Sequence, residues 1–190
     1  SIYFDSDNKY GGALHNPSSP YREWFNISPD GGYECWWGVK NLPKVIKCDS
    51  FRSYICDTVI PKYMKMGIDG WRLDVVDEYP ESFLERITSA SKSIDRNAYI
   101  LGEVWEDASN KIAYGERKKY LCGNALDGVM NYPFRNAVCD FITTSDNEFI
   151  TDITTTIAAH YPADRLNNSM NMLGTHDTER ILTVLGGIPS

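Results

Sequence analysis

The chain has 190 residues, enough to bury one sizeable core without requiring a second domain. A formal net charge of −7, with Lys and Arg scattered rather than clustered, argues against nucleic acid or an anionic membrane as partner. No apolar run is long enough to cross a bilayer. Five cysteines, Cys35, Cys48, Cys56, Cys122 and Cys139, are odd in number and form no C-x-x-C pair. They read as neither a disulfide framework nor a zinc site, so free buried thiols in a reducing, cytoplasmic rather than secreted, setting are expected.

Residues 1–48 show no sustained periodicity and are rich in Gly, Pro, Ser, Asn, Tyr and Trp. Such a stretch is either functional or an excursion from the main domain. From Asp49 or Ser50, Phe51, Ile55, Thr58 and Val59 follow helical spacing, with Pro61 expected to kink or end the helix. Then comes Gly67-Ile68-Asp69-Gly70-Trp71-Arg72-Leu73-Asp74-Val75-Val76, a buried strand ending in a carboxylate. Period-two alternation puts Gly70, Arg72 and Asp74 on one face, and Trp71, Leu73 and Val75 on the other. Gly70 leaves room for something to approach.

Pro80 begins a helix with Phe83, Leu84, Ile87, Ala90 and Ile94 in one stripe. A second strand, 98–105, carries Glu103 near its C-terminal end. A polar loop and an ill-defined helix, about 107–120, lead to a third strand around 126–132. Helices are expected over 134–143 and 147–160, a fourth strand over Asn171–Gly174 running into Thr175-His176-Asp177, and a last helix from Thr178 to Gly186.

Alternation of helices with continuously apolar strands means α/β architecture and parallel pairing. No glycine-rich phosphate loop follows any strand, which weakens a doubly wound nucleotide-binding sheet. Acids at the C-terminal ends of three strands favour a (β/α)8 TIM barrel, and four strand–helix units make up about half of one. Asp74, Glu103 and Asp177 would surround one mouth. Asp74, kept ionised by Arg72, suits attack on an anomeric carbon. Glu103, desolvated beside Val104 and Trp105, suits proton donation. If the two carboxyls lie about 5 Å apart, reaction should retain configuration through a covalent intermediate. Helix capping or pairing with arginine explains any one acid, but not three at equivalent strand ends.

Gly70–Glu78 (GWRLDVVDE), Gly102–Trp105 (GEVW) and Leu173–Asp177 (LGTHD) resemble three signature regions of the α-amylase family, glycoside hydrolase family 13. Val129–Phe134 (VMNYPF) and Leu42-Pro43-Lys44 are similar to the neopullulanase and cyclomaltodextrinase branch. The resemblance implies that Asp74 is the nucleophile, Glu103 the acid/base and Asp177 the transition-state stabiliser. Arg72 and His176 would position substrate and nucleophile. Trp105 is a candidate for lining the sugar site, and Glu78 occupies a position the family often uses near the acceptor side. Residues 1–48 would be the tail of the inserted small domain, and 49–190 half of the barrel, about strands 4–7. The strand-3 signature is absent, so the 190-residue polypeptide by itself is expected to hydrolyse starch-like glucans poorly.

The implied substrates are α-1,4 glucans, with α-1,6 linkages as a further option: starch, maltooligosaccharides, pullulan or cyclodextrins. Transglycosylation or isomerisation, and a non-enzymatic carbohydrate-binding relative, are the alternatives. No cofactor is expected. Calcium binding is common in the family, but no group of acids and amides here has a ligand spacing that assigns a site. The sequence leaves the oligomeric state open.

Overall fold

The structure, a computed structural model, describes residues 1–187. The chain divides into two compact units, Ser1–Val59 and Ile60–Ser190. The first packs around aromatic rings. Phe4, Ala13, Trp24 and Phe25 are buried, and Tyr3, Tyr21, Phe51 and Tyr54 lie against them. Its backbone pairs at isolated antiparallel bridges, Phe25 with Val45, Ile27 with Tyr33 and Cys35 with Pro43. Short 3-10 turns at Arg22–Trp24 and Trp36–Gly38 complete it, so the aperiodic sequence folds by ring packing rather than by regular elements. This unit ends in helix α1 (Asp49–Ser53) and a π-helical turn, Tyr54–Val59.

The second unit opens with α2 (Ile60–Lys65), whose first turn contains Pro61. The single kinked helix expected here is therefore three segments. A proline at 61 cannot donate to the carbonyl four residues back, and the turn before it widens to π geometry. Strand β1 (Gly70–Leu73) leads through a 3-10 turn, Val76–Glu78, to helix α3 (Glu81–Lys92). Strand β2 (Tyr99–Gly102) follows. Residues 107–120 hold a hairpin, not a helix: β3 (Ile112–Ala113) pairs antiparallel with β4 (Glu116–Arg117). Its two-residue turn, Tyr114-Gly115, has φ of 55° and 77°, the doubly left-handed geometry that suits a tight hairpin. Strand β5 (Gly128–Val129) then precedes α4 (Tyr132–Thr144), α5 (Glu148–His160), α6 (Ala163–Asn168) and α7 (Ile181–Val184).

The three longer-range strands pair in parallel in the order β1-β2-β5. Two side-chain layers flank them. Trp71, Leu73, Ile100, Val104 and Val129 meet Leu84 of α3, Ile157 of α5 and Leu166 of α6 on the helical side. Tyr99, Leu101, Met130, Tyr132 and Met172 form a smaller cluster on the opposite, barrel-interior side. The result is part of a (β/α)8 barrel, with Arg72, Asp74 and Glu103 on interior-facing positions by the period of two.

Several local expectations need correction. Alanine 90 is half-buried and Ile94 is exposed beyond the end of α3. Thr88 and Ser91 are buried instead, their hydroxyls donating to Ala125 O (2.5 Å) and Ile87 O (2.8 Å). Asn171–Gly174 forms no strand, and the parallel pairing here is a single bridge between Met130 and Met170, one residue earlier. Beyond it, side chains take over from the ladder: Arg135 Nε donates to Leu173 O (3.1 Å) and Asn131 Nδ2 to Asn171 Oδ1 (3.0 Å). The space at Gly70 is filled by strand β2, since a Cβ there would lie 1.9 Å from Tyr99 O. All five thiols are free; Cys56 and Cys139 are buried, but Cys122 is exposed.

Candidate active site

The register of β1 and β2 sets the level of the first two acids. Leu73 pairs with Gly102, and each strand delivers its carboxylate one residue later, as Asp74 and Glu103. Backbone bonds continue past both strand ends, with Glu103 N–H donating to Leu73 O (3.0 Å) and Val76 N–H to Glu103 O (3.4 Å). Gly102 is needed for this closeness on the outer side. A Cβ there would meet Leu126 Cδ1 at 2.5 Å.

Arg72 is the centre of the cluster. Its Nη1 bonds Asp74 Oδ1, while Nη2 lies 3.3 Å from Glu103 Oε1 and 3.9 Å from Asp177 Oδ2. One guanidinium therefore touches all three acids. The Glu103 and Asp177 oxygens are separated by no more than the sum of those two distances, about 7 Å, a span one sugar ring can bridge. Arg72 Nε turns towards Met130 Sδ (3.5 Å), which fixes the plane of the group. His176 Nε2 lies 3.0 Å from Asp177 Oδ2.

The acids differ in environment. Asp74 has 69 % of its side chain exposed, Asp177 40 %, and Glu103 only 4 %. Glu103 is not surrounded by hydrocarbon alone. Trp105 Nε1 donates to Oε1 (3.0 Å) and the Val75 N–H to Oε2 (2.6 Å). The Trp105 indole stacks on Tyr132, with centroids 3.9 Å apart and planes at 13°. Tyr132, fully buried, contacts Thr175 Oγ1 through its hydroxyl (3.3 Å), and Thr175 Oγ1 accepts from Asp177 N–H (3.2 Å). A chain of contacts thus runs from Glu103 to Asp177 beneath the exposed face of Trp105. Tyr79 lies within range of the same charges. Burial, and then the negative charge of Asp74, raise its pKa against the opposing effect of Arg72.

Of the residues singled out in the sequence, Arg72, Asp74, Glu103, Trp105, His176 and Asp177 are brought together. Glu78 is engaged elsewhere, accepting from the hydroxyl of Tyr114 at the hairpin turn. Val75, Met130, Tyr132 and Thr175 also take part, and sequence reasoning missed them. Met130 and Tyr132 stood in the third expected strand and in the VMNYPF motif, and Thr175 in the LGTHD signature, none of them read as site residues. Val75 carried no signal, because its contribution is a backbone N–H.

Comparison with known proteins places the chain in a family. The profile described as "Alpha amylase, catalytic domain" matches residues 28–189. An amylopullulanase from Thermoanaerobacter thermohydrosulfuricus is 35 % identical, the match covering 98 % of this chain and 15 % of that protein. A cyclomaltodextrinase from Thermoanaerobacter pseudethanolicus is 37 % identical over 90 % of this chain and 30 % of its own length. The chain therefore spans less than a third of either relative. Among solved structures, the cyclic α-maltosyl-(1→6)-maltose hydrolase of Arthrobacter globiformis, in complex with that cyclic sugar, superposes with a TM-score of 0.84. It is 27 % identical, and the match covers 96 % of this chain and 42 % of the other. The chain belongs to the α-amylase catalytic-domain family.

Proposed function

We propose that the protein carrying this chain is a retaining glycoside hydrolase acting on α-1,4-linked glucans, with α-1,6 linkages as a further target. The observation that supports this most is the sharing of one guanidinium by Asp74, Glu103 and Asp177. Arg72 engages Asp74 Oδ1, and Oδ2 has no hydrogen bond among the described residues, so Oδ2 is the oxygen available for attack. As Oδ2 bonds to the anomeric carbon, the glycosidic C–O bond breaks and the proton of Glu103 passes to the leaving oxygen. Water then attacks the same carbon, its proton going to Glu103, and the Asp74 ester bond breaks. Asp177 accepts hydrogen bonds from the sugar, which strengthen as positive charge develops on the ring. His176, against Asp177, positions it. Trp105, half exposed and backed by Tyr132, offers a flat face to a sugar.

An activated fluorinated α-glycosyl fluoride tests the reading, because its slow turnover traps the covalent intermediate. The label is expected on the peptide containing Asp74 and absent in Asp74→Asn. A label on another residue, or undiminished glucan hydrolysis in Asp74→Asn, would overturn it. Glu103→Gln is expected to lower kcat by about 10²- to 10⁴-fold, the usual worth of a positioned acid. Product analysis with maltotriose separates hydrolysis, which yields shorter sugars, from transfer, which yields longer ones.

A further inference from the structure

Val75 sits in the left-handed region, at φ 44° and ψ 61°. For a β-branched residue this conformation is a genuine outlier, held only by the structure around it. A glycine or asparagine would adopt it cheaply. The left-handed residue turns the chain back on itself immediately after Asp74. Two successive backbone N–H groups then face strand β2: Val75 N–H reaches Glu103 Oε2 at 2.6 Å, and Val76 N–H reaches Glu103 O at 3.4 Å.

The contacts of the carboxyl group divide unequally. Oε1 accepts from Trp105 Nε1 at 3.0 Å and lies 3.3 Å from Arg72 Nη2, which itself makes no hydrogen bond. Oε2 receives the Val75 N–H. We infer that the strained Val75 peptide is a positioning element for the reaction. It fixes the rotation of the Glu103 carboxyl relative to Asp74, and makes Oε2 the oxygen that carries the transferred proton on its remaining lone pair. The inference rests on the roles proposed above for Asp74 and Glu103. The two acids are thereby tied together by main chain, in addition to the side-chain contacts around them. The valine side chain is incidental to this; the N–H is what acts.

Replacing Val75 by its α-hydroxy analogue deletes the N–H and keeps the side chain. With maltotriose, kcat is expected to fall about 10- to 100-fold, while KM stays within about twofold, as for a misoriented catalytic group. A kcat within about twofold of the parent would overturn the inference. A second measurement does not depend on the ester variant folding. In protein labelled with ¹⁵N-valine, Glu103→Ala should move the Val75 amide proton resonance upfield, because the acceptor of its hydrogen bond is removed. An unmoved resonance would also overturn it. Failure of the underlying function reading looks different. In that case Glu103→Gln would keep its activity and Asp74 would take no label, whatever the Val75 amide does.

Discussion

At the scale of single residues, Arg72 decides how the site is held. Its planar fork reaches Asp74 with one nitrogen and both Glu103 and Asp177 with the other. An ammonium cannot span three carboxylates in this way, so Arg72→Lys is expected to keep most of the stability and lose about 10²-fold in kcat. Arg72→Met should do more. It removes the cation that Asp74, Glu103 and Asp177 face together, at a cost of about 2–3 kcal/mol in urea unfolding. Equal stability of the two variants would show that the charge does not matter to the fold. The pairing of Arg72 with Asp74 was legible in the sequence because strand periodicity places both on one face. The conformation of Val75 was not legible. Valine is among the last residues expected at positive φ, and nothing in its side chain announces a main-chain role.

At the scale of elements, Asp127 joins three that are far apart in sequence. Immediately before β5, its carboxylate accepts from the Ile100 N–H of β2 (2.9 Å) and pairs with Lys92 of α3 (2.9 Å) and Arg165 of α6 (3.4 Å). Asp127→Ala is expected to lower stability by about 2–4 kcal/mol. The buried Ile100 N–H loses its acceptor and two cations lose a shared carboxylate, although Lys92 keeps Ala98 O and is partly exposed, and Arg165 keeps Gly123 O and Asp164. Because Asp127 lies at the N-terminal end of its strand, opposite the acids, glucan hydrolysis at 25 °C should be spared while the protein remains folded. The long helices and the parallel strands could be read from apolar spacing, as α3, α4 and α5 illustrate. The hairpin at 112–117 could not, since its strands are two residues each and its turn holds tyrosine rather than asparagine before Gly115. The strand expected over Asn171–Gly174 failed for a different reason. Its apolar residues fit a strand, but the Arg135 guanidinium takes the Leu173 carbonyl.

At the scale of the whole chain, the strongest titration effects belong to tyrosines. Burial raises the hydroxyl pKa of Tyr79, Tyr99, Tyr120 and Tyr161, and the carboxylates of Asp74, Asp127, Asp77 and Asp107, respectively, add to it. Tyr120 donates directly to Asp77 Oδ1 (2.5 Å). Tyr161 is pushed up to about 12 from 10.0, while its oxygen accepts the Ala108 N–H at 3.1 Å. The sign follows from linkage. A raised folded-state pKa means the folded protein holds its proton more tightly than the unfolded chain. That contribution is fully present below pH 10, and it is lost as pH climbs through the folded values. Stability should therefore be nearly level up to pH 10 and fall steeply towards 12. Absorbance at 295 nm should show these phenols ionising with unfolding rather than before it. Tyr161→Phe isolates one of them. Below pH 10 the variant is weaker than the parent, because the Ala108 N–H loses its acceptor. Between pH 10 and 12 its stability should fall less steeply, by about 2 kcal/mol overall, so the two curves converge. Parallel curves across that interval would mean that Tyr161 ionises in place, and that burial does not hold its proton.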